Sequence, residues 1–448
     1  MNLLVVTLDT TRADHLGCYG YFRDTSPHLD AFAAEALVFD SAFAPMATTL
    51  PTHVSLFTAL HPLEHGVLAN VTHGGSAFGL KPAVVSVAQL ARERGYATAA
   101  FVSATPVKRS AGLAVGFDVY DEPSAASRRA QATTDAALDW LSAGHRRPYF
   151  LWVHYFDPHA AYRPPAPYDA HFATDQALET WIHDRRLAPR VGRDALRGGN
   201  PTETRAIINL YDGEIRYMDE QFGRLLRWLR ENNLWESTAI VVLADHGEGL
   251  NQHEWLQHGG TWEEQLHAAL MMRVPGPGGT TPGRVATLMT TADVLPTLLP
   301  LMNADWGGPL LKQASGVNVL APGFRERPLL SLRTGREDNP NPGPDTVLRS
   351  AEWTLHLNDP AAGTLLFDRR RDPFELENRA AAEADVVTRL TDQLHALVRH
   401  FHDRGMELDA GGKAEDAAPL DEKTLRELRA LGYIGGDDGN GEAEDERP

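Results

Sequence analysis

The sequence predicts a doubly wound α/β fold with a mixed or parallel sheet and a smaller C-terminal α+β part. Three observations carry that reading. Short β-branched apolar runs recur between residues 3 and 244, each too short for a helix and apolar on both faces. Segments of helical period separate them, an alternation that implies crossover connections and a parallel sheet. After about residue 325 the pattern changes to short strands followed by one long helix.

The first run, Leu3-Leu4-Val5-Val6-Thr7-Leu8, reads as a buried central strand. Asp9-Thr10 follows at its C-terminal end, where open α/β sheets bind ligands. Asp9 is thus a candidate metal ligand, against the alternative of a turn aspartate bonded to its own backbone. Ser26-Pro27 opens a capped helix, and Val38-Phe39 begins another strand. Thr48-Thr49-Leu50-Pro51-Thr52-His53 is a hydroxyl-rich turn leading into the apolar run Val54–Thr58. A hydroxyl at a helix N-terminus lies among unpaired N–H groups that favour anions. Thr49 is therefore a candidate nucleophile, with a simple N-cap at Thr49 or Thr52 as the alternative. His65–Asn70 reads as a loop, Val85–Arg92 as a helix and Tyr96–Val102 as a strand. Pro148–Tyr155 is a further strand, ending in Asp157-Pro158-His159. From Glu203 to Glu231 the spacing of Tyr211, Ile215, Met218, Phe222, Leu225 and Leu229 predicts a long amphipathic helix. Ala239–Ala244 is the next buried strand, and it runs into Asp245-His246-Gly247-Glu248.

Residues 1–325 form the expected catalytic domain and 326–405 the C-terminal subdomain. In the latter, Thr346–Leu357 and Thr364–Phe367 are expected as antiparallel strands joined by Asn358-Asp359-Pro360, with a helix from Ala380 to His400. Residues 406–448 form a C-terminal extension, with a short helix at Leu425–Ala430. The extension ends in an acidic stretch, with Asp437-Asp438 and Glu442–Glu446, whose lack of apolar residues predicts disorder. There are no internal repeats.

Composition narrows the function classes. The formal net charge of −18 over 448 residues argues against non-specific nucleic-acid binding. An anionic substrate would need a locally positive site, most readily supplied by a metal ion. No apolar run approaches the roughly 20 residues of a membrane span. The N-terminus has neither a basic n-region nor a small-residue cleavage site, so the expected location is cytoplasmic. The single cysteine, Cys18, excludes an intrachain disulfide and a cysteine-based metal cluster. Oligomeric state stays open.

Polar groups thus stand at four strand ends or the turns after them: Asp9, Thr49, His159 and Asp245-His246. Their convergence on one rim predicts a site in which Asp9, Asp245, His246 and the Thr49 oxygen hold a divalent cation. Mixed oxygen and imidazole donors suit manganese, zinc or calcium.

Taken together, these motifs resemble the sulfatase family of the alkaline phosphatase superfamily. The resemblance rests on Val6–Gly17, Thr49–His53, Gly116-Phe117-Asp118, Asp157-Pro158-His159, Tyr211–Ile215, Ala244–Glu248, His258-Gly259 and Arg371–Asn378. It implies an alkaline-phosphatase-like sheet and an ester hydrolase of small anionic substrates. Two positions depart from the family's Cys/Ser-x-Pro-x-Arg turn. Thr49 stands where a cysteine or serine is oxidised to formylglycine, and His53 stands in place of the arginine. Threonine cannot yield that aldehyde, but threonine nucleophiles occur in phosphodiesterases and phosphoethanolamine transferases of the superfamily. By position, the resemblance implies substrate-anion binding by Asn70, a leaving-group role for His159 and a general-acid role for His258. His253 is implied either as a second metal ligand or as a supporting hydrogen-bond partner. Thr10 falls where relatives offer a further metal-binding side chain, and His154 reads as a satisfied core or rim histidine outside the site. The expected activity is phosphate or phosphonate ester hydrolysis through Thr49. A sulfatase working without formylglycine and a phosphotransferase are the alternatives.

Overall fold

The computed structural model describes residues 1–72, 76–144, 148–190, 201–333, 346–359, 363–410 and 419–431. In chain order the strands are β1 (Asn2–Leu8), β2 (Leu37–Phe39), β3 (Ala42–Phe43), β4 (Ala97–Phe101), β5 (Val119–Asp121), β6 (Tyr149–Tyr155) and β7 (Thr238–Ala244). They continue with β8 (Leu270–Arg273), β9 (Gly283–Val285), β10 (Met289–Thr290), β11 (Leu329–Leu332), β12 (Thr346–Arg349), β13 (Trp353–Asp359) and β14 (Gly363–Asp368). Eight of them form the main sheet in the order β5-β4-β6-β1-β7-β8-β2-β9. From β5 to β7 all neighbours are parallel. β8 is antiparallel to both β7 and β2, which makes the sheet mixed.

The expected central strand is central: β1 lies between β6 and β7, and only Asn2 in it is not fully buried. Burial on both faces is the physical reason for an uninterrupted apolar run. The long helix spans Thr204–Glu231, and all six residues of its predicted face are buried. At roughly 1.5–3 kcal/mol for each large apolar side chain, that stripe is a major contribution to anchoring the helix. The helix expected at Val85–Arg92 spans Val87–Glu93. Ser86 caps it in a reciprocal box with Gln89.

The C-terminal sheet is a four-stranded antiparallel meander, β11-β12-β13-β14. Here the structure corrects two expectations. Thr346–Leu357 is not one strand: the chain turns at 350–352, where the Ser350 amide donates to the Trp353 carbonyl over 2.8 Å. β13 then runs through Asp359, and Pro360 lies outside the described residues. β11 was too short a run to stand out beside its turn residues. The following helix covers Ala384–Ala410 rather than 380–400, since polar residues beyond His400 continue it on an exposed face. A final helix spans Glu422–Ala430, and the acidic stretch from Asp437 lies outside the described residues. Among the described residues no helix is long and apolar enough to cross a membrane.

Candidate metal and nucleophile site

The site starts from strand register. Leu8 of β1 is level with Tyr155 of β6 and Ala244 of β7, so Asp9 and Asp245 leave adjacent strands side by side. The Asp9 amide still donates to the Tyr155 carbonyl at 2.9 Å, and the Asp245 amide donates to the Leu8 carbonyl at 3.2 Å. Then both chains turn. Thr10 adopts a left-handed φ of 49°, and its amide donates to Asp245 Oδ1 at 3.2 Å. The same oxygen accepts the His246 amide at 2.7 Å. Asp245 Oδ1 thus fixes both turns, and Oδ2 is left for other work.

His246 has an equally defined state. Nδ1 lies 3.0 Å from the Gly247 carbonyl, an acceptor, so Nδ1 carries the proton and Nε2 presents a lone pair. Asp9, Asp245 and His246 each offer one donor atom within 4.8 Å of the others, all buried. Asp9 Oδ1, Asp245 Oδ2 and His246 Nε2 have no hydrogen-bond partner among the described residues. Orphaned buried polar atoms are costly, and three converging on one point need an explanation. Burial raises Asp9 to about 7, with His246 opposing the shift. Burial followed by the neighbouring Asp9 charge raises Asp245 as well. Two desolvated carboxylates and a bare imidazole nitrogen fit a divalent cation, which would satisfy all three atoms and offset the like charge.

Thr49 is the first residue of the helix Thr49–Thr58 and is fully buried. Its side chain hydrogen-bonds the Asp9 carboxyl. The N-cap alternative fails for both threonines. Thr48 occupies the cap position, with no side-chain cap bond. The Thr52 hydroxyl donates to the Met46 carbonyl at 2.8 Å. The Leu50 amide is instead satisfied by Asn70 Oδ1 at 2.8 Å. That bond leaves Asn70 Nδ2 buried without a partner, close to the start of the helix.

His53 lies behind Thr49. Trp152 Nε1 donates to Thr7 Oγ1 at 2.9 Å, so the Thr7 hydroxyl donates to His53 Nε2 at 3.0 Å. His53 Nδ1–H then donates to the Thr49 carbonyl at 2.8 Å. Both ring nitrogens are engaged, the ring is wholly buried, and burial lowers it to about 4. His159 and His258 sit together, their ring centroids 5.0 Å apart, with His258 4.6 Å from His246. His159 Nδ1 donates to the Ala160 carbonyl at 2.6 Å, and burial holds this ring well below its ordinary value. Glu248 Oε1 is 3.4 Å from His258 Nδ1. His253 is taken up elsewhere: Nδ1 faces Glu264 at 3.2 Å, Nε2 faces the Glu375 carbonyl at 3.2 Å, and the ring stacks on Trp262. Of its two implied roles, this geometry matches the supporting one. Thr10 Oγ1 is buried and unpartnered.

His154, which the sequence places outside the site, lies against Asp9. Its Nδ1 accepts the Ser103 amide at 3.3 Å, so Nε2–H donates to Asp9 Oδ2 at 3.3 Å. The signal is register, which only the structure supplies: His154 pairs with Thr7, two residues before Asp9 on the neighbouring strand. Glu248, which the sequence shows only as part of the Ala244–Glu248 motif, contacts the histidine cluster through His258. The Tyr211–Ile215 motif also gains a physical role. Tyr211 Oη donates to the Thr10 carbonyl at 2.7 Å and accepts the Arg12 amide at 2.9 Å, pinning the turn after Asp9. Asp212 binds His15, Tyr21 and Arg23 in the same loop.

Comparison with known proteins places this geometry in context. The family model described as Sulfatase matches residues 1–304. Human iduronate 2-sulfatase is 25% identical over 340 residues, 62% of this chain and 60% of that protein. The chain therefore spans under two thirds of that relative's length. The ulvan-active sulfatase of Formosa agariphila is 23% identical over 417 residues, covering 84% of this chain and 76% of that one. The crystal structure of the phosphonate monoester hydrolase of Agrobacterium radiobacter superposes with a TM-score of 0.69 at 21% identity, covering 90% of this chain and 96% of that chain.

Proposed function

This chain belongs to the sulfatase family, and on that premise we propose that it is a metal-dependent hydrolase of phosphate or phosphonate esters with Thr49 as nucleophile. The observation that carries the reading is the threonine itself. It sits at the first position of a helix, bonded to Asp9, beside three unpartnered ligand atoms. A formylglycine hydrate releases sulfate by collapsing, whereas a threonine ester has no such route. It is a serviceable phosphoryl intermediate, because water can attack phosphorus. The fold is shared by a phosphonate monoester hydrolase as well as by sulfatases, so phosphorus-ester hydrolysis lies within its range.

Asp9, Asp245 and His246 are the residues that would hold the cation, with the Thr49 oxygen completing the set. A divalent cation there lowers the pKa of an attacking hydroxyl and offsets charge growing on the ester oxygens. The protein supplies the rest. Thr49 attacks phosphorus after its hydroxyl proton has passed to solvent; a bond forms between its oxygen and the phosphorus, the bond to the leaving oxygen breaks, and attack of water on the phosphothreonine then releases the product and restores the hydroxyl. Asn70 Nδ2 and the helix N-terminus receive the anionic oxygens. His258, oriented through Glu248, delivers the proton to the leaving oxygen. His159 lies beside it on the leaving-group side. His53 acts by position, clamping the Thr49 carbonyl, and His154 orients Asp9.

Thr49→Ala should lower kcat by about three orders of magnitude or more with little change in substrate binding, because an interaction made chiefly in the transition state is lost. Thr49→Ser should keep substantial activity, since the attacking oxygen remains. Rapid quenching with labelled aryl phosphate, phosphonate and sulfate esters should trap an adduct on Thr49 with the phosphorus esters. Near-normal turnover of Thr49→Ala with no adduct in the wild type would remove the nucleophile from the mechanism. An adduct with the sulfate ester alone would move the reading to a sulfatase without formylglycine.

A further inference from the structure

Beyond the end of β4, Lys108 projects an ammonium whose side chain is only 9% exposed. Among the described residues its charge partner is Glu427, with Nζ 2.6 Å from Oε2. Thr105 Oγ1 is 2.9 Å from the same oxygen, and also 2.9 Å from the Ala126 carbonyl, so one hydroxyl proton serves two acceptors. Glu427 belongs to the helix Glu422–Ala430, which buries a single side chain, Leu428. The other ties of this segment are slight: Lys423 Nζ donates to the Ser124 carbonyl, and Pro419 makes one bridge to Ser76. A buried ammonium requires compensation. Here a rigid part of the fold receives it from an element with little apolar anchoring, which belongs to the least stable class of structure.

The position of this pair gives it meaning. The cavity under the helix is lined by Asn70, Thr105, Ser110, Ala111, Thr424 and Leu428, among others. Asn70 joins that cavity to the candidate site, because its Oδ1 holds the Leu50 amide next to Thr49. Its Nδ2 is 94% buried by residue and has no partner. Asn70, the group implied in binding the reacting anion, therefore lines the same small cavity as Thr105, whose hydroxyl is 2.9 Å from the Glu427 carboxylate seated on Lys108.

We propose that Lys108, assisted by Thr105, is a subsite for a second anionic group on the ester substrate, remote from the bond that breaks, and that Glu427 fills it as an intramolecular stand-in. The preferred substrates are then esters bearing an additional carboxylate, phosphate or sulfate, and binding exchanges Glu427 for that group. No bond is made or broken in this exchange. The inference rests on the ester-hydrolase reading given above.

The test uses the metal-loaded full chain and a graded series of alkylphosphonates ending in either a methyl group or a carboxylate. Calorimetry is run on the wild type, Glu427→Gln and Lys108→Met, the last matching the lysine in length without its charge. In Glu427→Gln the carboxylate-ended compound of suitable length should bind about tenfold more tightly than its methyl-ended partner. The wild type should show a smaller preference, and Lys108→Met should show none. Amide hydrogen exchange across residues 422–430 should speed up in Glu427→Gln, and in the wild type on adding the carboxylate-ended compound but not the methyl-ended one. Equal binding of the two series by Glu427→Gln, or a preference that survives Lys108→Met, overturns the subsite while leaving the hydrolase reading intact. Failure of every protein to bind any phosphonate overturns the hydrolase reading, and the subsite with it.

Discussion

Removing the cation should make stability fall as pH rises, and Asp9 sets the size of the effect. In the folded chain burial raises this carboxyl from 3.8 to about 7. A group with a raised folded pKa binds its proton more tightly in the native state than in the unfolded one. Stability of the metal-free protein is therefore greatest below pH 3.8 as far as Asp9 is concerned, and this contribution is lost as pH rises from about 4 to about 7. The span of about 3 pH units at ~1.4 kcal/mol each corresponds to about 4 kcal/mol. With an unfolding entropy of ~2.1 cal/mol/K per residue, 448 residues give about 0.9 kcal/mol/K, so the melting temperature should move by about 4 °C. Other buried acids contribute to the raw curve, so the measured quantity is the difference between wild type and Asp9→Asn. Both are stripped with chelator and melted from pH 4 to pH 8 in a calorimeter. The wild type should lose about 4 °C relative to the variant across that window. Manganese, zinc or calcium added at pH 7.5 should restore it, and should do nothing comparable for Asp9→Asn. A flat difference, with no cation-dependent recovery, would refute the argument that these carboxylates are buried to hold a cation.

Asp245→Asn should lose bound metal and activity yet remain folded, because asparagine Oδ1 can still accept the Thr10 and His246 amides; elemental analysis and circular dichroism test the two halves. Gly247→Ala should disturb the site from behind. An added Cβ would lie 2.1 Å from the Glu264 carbonyl oxygen, a backbone atom. A stability loss of about 1–3 kcal/mol, with weaker metal retention, is expected by urea unfolding and metal analysis. Glu375 is buried and held down to about 2, with the neighbouring His356 the largest of the lowering influences. A lowered carboxylate stabilises above its unfolded pKa, and that contribution disappears as pH falls from about 4.5 towards 2. Glu375→Gln should therefore flatten the acid limb of the stability curve, measured by melting temperature against pH.

The extent to which the sequence revealed this protein follows from physical range. β1, β6 and β7 were legible because strands buried on both faces must be apolar throughout, and that requirement is written in consecutive residues. The helix Thr204–Glu231 was legible because six of its buried side chains share one face at helical spacing. β11 was not, since four residues carry too little pattern to rise above their surroundings. The break between β12 and β13 was also hidden. Ser350 accommodates either a strand or a turn, and the pairing of β12 with β11 on one side and β13 on the other made the choice.

The site divides in the same way. Asp9, Asp245 and His246 stood out because polar residues ended apolar strands, and Thr49 because a hydroxyl preceded a helix. Those are local facts, and the sequence alone determined them, together with the family resemblance. It could not determine which oxygen of Asp245 fixes the turns, which nitrogen of His246 is bare, or that Thr48 rather than Thr49 holds the cap position. Nor could it place His154 against Asp9, His53 behind Thr49 or Glu427 on Lys108. The Asp245 contacts and those of His154 and Glu427 depend on which elements are neighbours and on hydrogen bonds between residues far apart in the chain, while the His246–Gly247 and His53–Thr49 bonds are close in sequence but form only on the folded backbone. Such bonds are settled only when burial removes water as a competing partner, so the tertiary structure decided them.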